Sequence, residues 1–433
     1  MKTVAFFTLG CKVNQVETEQ LKEDFIRHGY QVVDFKQAAD VYIINTCTVT
    51  HVSDKKSRAM IRRAARANPA ALIAVTGCLA QTDPEQVAEI EGVNLVVGNA
   101  RKHDIFTIID TYAFDPNGAQ ILADKITRQD IPAPVIYSKH HQRTRAFIKI
   151  EDGCENFCSY CIVPHARGPV RSKAPDDVRA EAEQLLLLGY REIVLTGINT
   201  GMYGRDLTDW NLTRLLEYLV ESLPGEYRIR LSSVEPPQLT DGLIDLAASS
   251  EHICRHFHIP LQSGSDHVLK LMNRRYNRSQ YIGLITHIAG RIPDIALTTD
   301  VMVGFPGESE ADFLATYNLI EQMPFLDLHV FKYSPRPGTP AVDFPEPVAE
   351  EEKQKRSELL INLAARKHEQ FLKDMIGKKV STLIEKKLDN NTWSGISDNY
   401  INITVSGKNL NAGEMVDTTI NGISNGNATG TVK

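Results

Sequence analysis

The first 115 residues alternate short apolar runs with longer amphipathic segments. The runs VAFFTLG, VYIINT and LIAVTG are apolar almost throughout, which is typical of strands buried on both faces of a parallel sheet. The segments that follow them predict helices around residues 16–28, around residues 53–67 and from residue 83 onward. This alternation predicts a small doubly wound α/β domain.

A second series of strand and helix signals extends from residue 145 to about residue 334. The strand candidates are RAFIKIE, REIVLTG, YRIRLSS, FHIPLQS, ALTTDVMVGF and LDLHVFKY. Amphipathic segments such as DDVRAEAEQLLLLGY separate them. Six consecutive βα units predict a partial parallel barrel, whose chemistry belongs at the C-terminal ends of the strands.

The pattern changes again after a charged helical run over residues 350–373. Helical periodicity then disappears, and the alternating segments KVSTLIEK, YINITV and EMVDTTI are separated by Asn and Gly turns. The tract NGISNGNATG is predicted to form turns. We expect a small five-stranded β-barrel of the kind that binds oligonucleotides.

These changes predict an α/β fold class with three domains in a chain of 433 residues. We expect an N-terminal doubly wound domain over residues 1–115 and a polar, proline-containing linker over residues 116–142. A partial (βα)6 barrel with a trailing helix is expected over residues 143–373, and the small β-barrel over residues 374–433.

Composition narrows the class of protein. The N-terminus enters a strand pattern at once, so no signal peptide is predicted. No apolar run approaches the roughly 20 residues that span a bilayer, so we expect a cytoplasmic protein with no membrane partner. The formal net charge of −6 argues against a protein that coats nucleic acid nonspecifically, and we expect no DNA partner. A local basic patch remains compatible with RNA.

Six of the seven cysteines fall into two sets of three. The cysteine triplet has the compact spacing C-x3-C-x2-C and consists of Cys154, Cys158 and Cys161. The cysteine trio is dispersed, but each member directly follows one of the apolar runs; it consists of Cys11, Cys47 and Cys78. If these runs share one sheet, the three thiols of the trio emerge along its carboxyl edge, where open α/β sheets bind ligands.

Cysteine sets of this kind favour metal binding over disulfides in a reducing compartment. A four-iron cluster normally has four thiolate ligands, so three leave one iron open to a small molecule. The alternatives for the triplet are an electron-transfer cluster or a zinc knuckle with His165 as fourth ligand. The alternative for the trio is buried, inert cysteines. Cys254, in EHICRHF, is predicted to be a core residue and not a ligand.

With these motifs the chain resembles the radical S-adenosylmethionine methylthiotransferases over almost its whole length. That family combines an N-terminal three-cysteine cluster domain, a partial barrel holding C-x3-C-x2-C, and a C-terminal β-barrel called TRAM. The motifs TLGCKVNQVET, NTCTVT and TGCLAQ are most similar to the subgroup acting on N6-threonylcarbamoyladenosine in tRNA. After its first cysteine, the isopentenyladenosine subgroup more often has Gln-Met-Asn and the ribosomal-protein subgroup Pro-Lys-Asn. This chain has Lys12-Val13-Asn14.

The resemblance implies an enzyme with two 4Fe-4S clusters and S-adenosylmethionine. The triplet's cluster would bind S-adenosylmethionine and cleave it to methionine and a 5′-deoxyadenosyl radical, which abstracts the hydrogen at purine C2. The trio's cluster would present the sulfur, methylated by a second S-adenosylmethionine. All six cysteines are thereby implied as catalytic and metal-binding residues. The implied partners are the anticodon stem-loop of tRNA and a reducing electron donor such as flavodoxin or ferredoxin.

The ends of the barrel strands carry residues suited to the cofactor. Glycine lets the backbone approach a ligand closely, and polar side chains can bond its ribose or amino group. The expected cofactor-binding residues are Tyr160, Asn199, Ser233, Glu235, Gln262 and Gly304. Tyr160 is alternatively an ordinary packing aromatic, and the FPGE element after Gly304 is alternatively a strand-to-helix turn.

The segment KKSRAMIRRAAR predicts a basic helix face. Its stripe consists of Lys55, Arg58, Arg62 and Arg66, with Lys56 and Arg63 beside it. Solvated helix faces usually mix charges of both signs, so six like charges favour contact with RNA phosphate. Arg167 and Arg336 are expected to add RNA contacts or to bind the carboxylate of a threonylcarbamoyl group. The alternative is that either arginine pairs with a structural acid.

Two other functions are compatible with these features. One is the same chemistry on N6-isopentenyladenosine in tRNA. The other, from a different class, is a non-catalytic iron–sulfur protein that binds RNA or senses redox state. It explains the clusters and the basic helix but not six strand ends able to receive a cofactor. Cleavage of S-adenosylmethionine by the reduced, reconstituted protein separates enzyme from sensor.

Overall fold

The computed structural model of the chain describes residues 2–112, 118–132, 135 and 143–432. The N-terminal strands are β1 (Thr3–Thr8), β2 (Gln31–Val33), β3 (Val41–Thr46), β4 (Leu72–Gly77), β5 (Leu95–Val97) and β6 (Gln120–Leu122). The helices among them are α1 (Lys12–Arg27), α2 (His51–Ala67), α3 (Cys78–Thr82), α4 (Pro84–Ala88) and α5 (Ile105–Asp110). The strands form one parallel sheet in the order β2-β1-β3-β4-β5-β6.

The core of this sheet lies on both of its faces, as the apolar runs predict. Every residue of β3 is buried. Ile44 and Val75 pack with Ile61 of α2 on one face, whereas Ile43 packs with Phe25 of α1 on the other. The doubly wound α/β fold is therefore confirmed.

Two details differ from the sequence expectation. Helix α1 starts at Lys12, directly after Cys11, although apolar periodicity placed its start at residue 16. Strand β6 lies inside the segment predicted to be a linker, yet it pairs with β5 and completes the sheet. Residues 116–117, 133–134 and 136–142 of that predicted linker lie outside the described residues.

The elements of the barrel region follow. They are β7 (Arg145–Lys149), β8 (Glu151–Asp152), α6 (Val163–Arg167), β9 (Arg171–Ser172), α7 (Pro175–Leu187), β10 (Glu192–Thr196), α8 (Leu212–Ser222), β11 (Arg228–Leu231), α9 (Asp241–Ser249), β12 (His256–His258), α10 (Asp266–Leu271), α11 (Arg278–Arg291), β13 (Ala296–Val303), α12 (Glu310–Gln322) and β14 (Phe325–Lys332).

The six predicted barrel strands form a partial barrel. Strands β11, β10 and β7 pair in that order, as do β12, β13 and β14. The two halves meet where the Cys254 N–H donates to the Ile229 carbonyl at 2.9 Å. The strand pairs β10–β11, β12–β13 and β13–β14 are parallel. The carboxyl ends of these strands therefore lie on one side, where barrel chemistry is expected.

The last elements are α13 (Glu350–Asp374), β15 (Lys379–Lys387), β16 (Thr392–Ser397), β17 (Asn402–Ser406), β18 (Met415–Ser424) and β19 (Asn427–Val432). The five strands close into a barrel in the order β15-β16-β17-β19-β18, which confirms the predicted appendage. The prediction of turns over NGISNGNATG is wrong, because most of that tract is strand. Only Asn425 and Gly426, with φ of 50° and 74°, form a two-residue hairpin turn.

The described chain packs as two units. The first takes in residues 2–138, 149–174 and 334–342. The second takes in residues 143–148, 175–333 and 343–432. Both cysteine sets belong to the first unit, and the barrel strands from β10 onward belong to the second. In the part of the chain that the structure describes, no helix combines the length and apolarity needed to cross a bilayer.

A buried ion cluster joins the partial barrel to the small β-barrel within the second unit. The Glu192 carboxylate accepts from Arg230 Nε at 2.7 Å and from Arg228 Nη2 at 2.6 Å. The same arginines donate to the Ser381 carbonyl at 2.8 Å and the Ser397 carbonyl at 2.9 Å. Burial alone would raise the pKa of Glu192, but the two guanidinium groups lower it to about 2. The carboxylate is therefore charged at neutral pH and fixes both arginines against the appendage.

Candidate functional site

The cysteine trio lies at the ends of three neighbouring strands. Because β1, β3 and β4 are adjacent, Cys11, Cys47 and Cys78 follow the sheet's carboxyl edge in that order. Cys11 is the N-cap residue of α1, and Cys78 is the first residue of α3. The sheet thus brings together three thiols separated by 67 positions of sequence, as the strand pattern predicts.

Glycines allow the ends of these strands to approach closely. Gly10 and Gly77 both have φ of +96°, a conformation that favours glycine. A Cβ atom on Gly10 would lie 2.9 Å from Cys47 Sγ, and one on Gly77 would lie 2.4 Å from the Thr46 carbonyl oxygen. The residue before each of two trio cysteines therefore has to be glycine for the thiols to share this edge.

The thiols of the trio affect one another electrostatically. Burial, together with the neighbouring Cys78 and Cys11, raises the pKa of Cys47 to about 11. Cys11 has an exposed surface, yet the atoms packed around it withdraw its thiol from bulk water and raise its pKa. Three mutually repelling thiolates at one edge are the kind of donor set that a cationic metal group stabilises.

The cysteine triplet lies in a loop between β8 and α6 that folds back on itself. The Cys154 N–H donates to the Gly168 carbonyl at 3.1 Å, and the Cys161 N–H donates to the Cys158 carbonyl at 2.9 Å. Gly153 has φ of +99°, and a Cβ there would lie 2.0 Å from the Pro169 carbonyl oxygen. The loop is compact enough for its three thiols to surround one cluster.

Two observations concern the alternative that the triplet and His165 bind zinc: the exposure of His165 and the spacing of the ligand atoms. His165 is exposed on α6. A mononuclear zinc site brings ligand atoms within about 4 Å of one another. Among the described residues, the group whose ligand atoms all lie within 4.8 Å of one another is His258, Asp300 and His329, not the triplet with His165. Among the described residues, the triplet and His165 therefore do not show the close spacing of a single-ion site.

Cys254 lies apart from both sets, in the second unit. It is 2% exposed, and burial raises its pKa to about 12. Its backbone completes the pairing beside β11. This placement agrees with the core role that its apolar surroundings predict.

Four of the predicted cofactor residues lie just beyond strand ends of the partial barrel. Asn199 is buried after β10, and Ser233 is exposed after β11. Gln262 has φ of 63° and its N–H donates to the Asp300 carbonyl at 2.8 Å, which aligns it with β13. Glu235 accepts a hydrogen bond from Arg274. These positions share the carboxyl side of the barrel. Tyr160 lies in the cysteine loop of the first unit and is half-buried.

The glycine at position 304 is required by the packing of α13 against the end of β13. Its φ is +72°, and a Cβ there would lie 2.2 Å from Cγ of Lys353 on α13. Its N–H donates to Glu308 Oε2 at 2.6 Å, and Arg356 Nη1 donates to the same oxygen at 2.7 Å. The FPGE element is therefore a strand-to-helix turn held by α13. The glycine makes room for that helix.

A polar group lies on the inner face of the barrel, and of its members sequence reasoning identified only Asp300, as a strand-end residue suited to the cofactor, and neither histidine. Asp300 Oδ1 lies 3.1 Å from His258 Nε2 and 3.1 Å from His329 Nδ1. These residues stand on β12, β13 and β14, on the face opposite Thr299, which contacts Tyr281 of α11. A polar residue at alternate positions in FHIPL, TTDVM and LDLHV is the signal that would have identified them.

The predicted basic helix is present as α2. Its N-cap residue Thr50 accepts from the Ser53 N–H at 3.2 Å. Lys55, Arg62 and Arg66 are exposed. Arg58 is half-buried and donates to Gln86 Oε1 at 3.1 Å. Three of the four stripe residues are therefore available to a polyanion.

Arg167 and Arg336 do not lie where RNA would reach them. Arg167 is fully buried and ion-paired with Glu17 and Asp152. Arg336 is 5% exposed and donates to Thr48 Oγ1 at 2.8 Å and to Asp54. The expectation that they bind tRNA, or the threonylcarbamoyl group, is therefore not supported, since their charges already have partners inside the first unit.

Two family models match the chain. Residues 3–98 match the model described as Uncharacterized protein family UPF0004. Residues 148–320 match the model of the Radical SAM superfamily. The first match covers the trio and the second covers the triplet.

Characterised relatives match over most of their length. A threonylcarbamoyladenosine tRNA methylthiotransferase from Bacillus subtilis is 43% identical over 96% of this chain and 93% of that protein. Its counterpart from Aquifex aeolicus is 38% identical over 93% of this chain and 97% of that protein. A tRNA-2-methylthio-N(6)-dimethylallyladenosine synthase from Acetivibrio thermocellus is 35% identical over 87% of this chain and 79% of that protein.

A solved structure shares the fold. The radical S-adenosylmethionine methyltransferase TsrM from Kitasatospora setae, with cobalamin and a [4Fe-4S] cluster bound, superimposes with a TM-score of 0.61. The match covers 79% of this chain and 77% of that chain at 16% identity. This likeness concerns the fold alone.

Proposed function

This chain belongs to the radical S-adenosylmethionine methylthiotransferase family, and we propose that it converts N6-threonylcarbamoyladenosine in tRNA to the 2-methylthio derivative. The observation that carries the proposal is the near full-length identity of 38–43% to relatives of that name. Identity to the dimethylallyladenosine synthases is lower, at 33–35%. We place the substrate adenosine just 3′ of the anticodon.

The triplet fits the cluster that the radical SAM family implies. Cys154, Cys158 and Cys161 offer three thiols in one closed loop, and three thiolates leave one iron of a 4Fe-4S cluster open. With S-adenosylmethionine bound there, the cluster supplies the electron and the radical chemistry needed to remove an unactivated hydrogen. The chain's own part is to hold that group and exclude water around it. Tyr160, inside the loop, is our candidate for packing on the adenine.

We further propose that the trio holds a second 4Fe-4S cluster. Cys11, Cys47 and Cys78 follow three adjacent strands to one sheet edge, where a cationic metal group would stabilise their thiolates together. The N-terminus of α1 points at Cys11, and a helix N-terminus favours negative charge such as thiolate. We place the sulfur to be inserted at the trio, which lies in the same unit as the triplet.

The remaining site assignments are proposals of the same kind. Asn199, Ser233, Glu235 and Gln262 are our candidates for contacts with S-adenosylmethionine. Lys55, Arg62 and Arg66 on α2, with Arg58 beside them, are our candidates for tRNA phosphate. We also propose a flavodoxin- or ferredoxin-like electron donor, a cytoplasmic location, an N-terminal domain that extends past residue 115 to include β6, and further domain boundaries near residues 143 and 374.

The experiment is to reduce the reconstituted protein with tRNA carrying threonylcarbamoyladenosine and analyse the nucleosides by mass spectrometry. We expect a product heavier by one methylthio group in place of hydrogen, together with 5′-deoxyadenosine. A protein that binds iron and tRNA but yields neither product is a non-catalytic iron–sulfur protein, and that outcome contradicts the proposal.

A further inference from the structure

We infer that Arg167 and Glu17 are positioning residues that hold the helix of the trio against the loop of the triplet, so that the two cysteine sets keep a fixed separation. The inference rests on the proposed function, in which sulfur at one set must reach a substrate activated at the other. Both residues lie in the first unit, so the joint is internal to it.

The contact is a buried two-point ion pair. Arg167 Nη1 lies 2.5 Å from Glu17 Oε1, and Arg167 Nη2 lies 3.1 Å from Glu17 Oε2. The same guanidinium donates to the Asn14 side-chain oxygen and, at 3.2 Å, to Asp152 Oδ2. Arg167 is 0% exposed and Glu17 is 5% exposed. Parallel bonds of this kind fix orientation as well as distance.

Each partner is tied to one cysteine set by a short, ordered segment. Glu17 lies six residues after Cys11, on the helix that Cys11 caps, which corresponds to about 9 Å of helix rise. Arg167 ends α6, and the next residue, Gly168, accepts the Cys154 N–H at 3.1 Å. Neither segment contains a flexible connection. A displacement at the ion pair therefore reaches the thiols on both sides.

Further bonds hold each partner in place. Glu17 also accepts from Lys102 Nζ at 2.6 Å and from Lys149 Nζ at 2.9 Å. Asn14 Nδ2 donates to the Leu9 carbonyl at 2.7 Å and to the Thr46 carbonyl at 3.0 Å. Thr46 immediately precedes Cys47, and Leu9 lies two residues before Cys11. The network therefore reaches the backbone beside two cysteines of the trio as well as the triplet loop.

The acidic partners of Arg167 also fix its charge. Burial would lower the pKa of Arg167, but Glu17, Asp152 and Cys78 raise it well above its usual range. The guanidinium is therefore permanently charged.

A buried ion pair adds little stability, because its desolvation cost offsets much of its attraction. Its best-attested role is to select one arrangement of packed elements. The arrangement selected here is that of α1 against the triplet loop. Removing Arg167 would free the two segments to shift, and a misplacement of about 1 Å in a reaction geometry can cost a hundredfold.

The test compares Arg167→Met with Arg171→Met. Arg171 is a matched control because it is also buried, lies in the same segment and bonds Asp152 at 3.3 Å, but makes no bond to α1 within the described residues. Each variant is reconstituted and checked for iron content. The measured quantity is the ratio of 5′-deoxyadenosine formed to nucleoside methylthiolated. Arg167→Met should raise this ratio about tenfold to a hundredfold, and Arg171→Met should leave it unchanged.

A second readout needs no substrate. Amide hydrogen exchange should quicken in both α1 and residues 154–168 of Arg167→Met, and in neither segment of Arg171→Met. When both clusters are reduced, the strength of the magnetic coupling between them should spread over a wider range in Arg167→Met than in the wild type. Arg171→Met should show no such spread. Unaltered exchange, magnetic interaction and product ratio in Arg167→Met would overturn the inference, as would equal effects in both variants.

If Arg167→Met does not fold, Glu17→Asp carries the test, because it keeps the charge and shortens the side chain by one methylene. It should uncouple cleavage from sulfur insertion to a smaller degree, and full coupling would overturn the inference. Failure of the wild-type protein to methylthiolate tRNA would instead count against the proposed function, while the exchange and magnetic readouts would still decide the inference.

Discussion

Two buried carboxylates in this protein are each surrounded by cationic side chains, but the two ion clusters connect different parts of the fold. Glu17 in the first unit accepts from Arg167, Lys102 and Lys149. Glu192 in the second accepts from Arg228 and Arg230. Around Glu192 the spare guanidinium donors go to main-chain carbonyls of the small β-barrel. Around Glu17 they go to side chains that flank two cysteine sets. Similar chemistry therefore serves attachment in one unit and the geometry of a reactive site in the other.

The largest expected effect comes from removing the cysteines that distinguish the first unit. Replacing Cys154, Cys158 and Cys161 with Ala should remove one cluster and all S-adenosylmethionine cleavage, since no open iron remains to bind it. Replacing the trio, Cys11, Cys47 and Cys78, should remove the other cluster and block methylthiolation while cleavage persists in part. Iron content and 5′-deoxyadenosine yield measure both effects.

Cys254→Ala is the control for those two variants, because it removes a buried thiol from the second unit. Iron content and cleavage should match the wild type. Full iron content in either triple variant, or loss of iron in the control, would contradict the assignment of the two clusters to the trio and the triplet.

The next effect concerns the attachment of the small β-barrel. Glu192→Gln leaves Arg228 and Arg230 buried without a countercharge, which should lower the free energy of unfolding of the second unit by about 3–5 kcal/mol. Denaturant unfolding measures it. Glu226→Gln, at an exposed position of the same unit, should change stability by about 0.5 kcal/mol or less. Equal effects would show that the buried pair is not the joint.

Acid should weaken the same attachment. Because the folded protein lowers the pKa of Glu192 to about 2, its contribution to stability is present above its unfolded pKa, about 4.3. That contribution should be lost as pH falls from there towards 2. The unfolding free energy of the wild type should decline through this window more steeply than that of Glu192→Gln. Parallel acid profiles would contradict the assignment.

The smallest expected effect is on tRNA affinity. Changing Arg58, Arg62 and Arg66 to Glu should weaken tRNA binding and reduce its dependence on salt, because fewer counterions are released. Iron content should be unchanged. Binding measured across a salt series would show an unaltered slope if α2 is only a solvated surface.

Much of the fold was predictable because it depends on local patterns. Buried strands such as VYIINT and their following cysteines define the sheet edge, and the six βα repeats define the barrel. The two-residue turn at Asn425 and Gly426 was obscured, since a tract rich in turn residues can still pair as a hairpin when only two of them bend.

The site was less predictable where an arginine could pair either with RNA or with a carboxylate of the protein. Arg167 in HARGPVRSK has the sequence appearance of a surface cation, and only the fold brings Glu17, 150 residues away, to bury it. Arg336 and Asp54 meet in the same way across 282 positions. Long-range ion pairs leave no periodic signal in sequence, so the sequence alone does not decide between RNA and a structural acid as the partner of these arginines.

The most direct test of the account offers the reconstituted enzyme two tRNAs, one with threonylcarbamoyladenosine and one with isopentenyladenosine. The account predicts methylthiolation of the first in clear preference to the second, because a site built for a carboxylate-bearing group leaves polar partners unsatisfied around an apolar one. Preferential methylthiolation of isopentenyladenosine would contradict the assigned substrate.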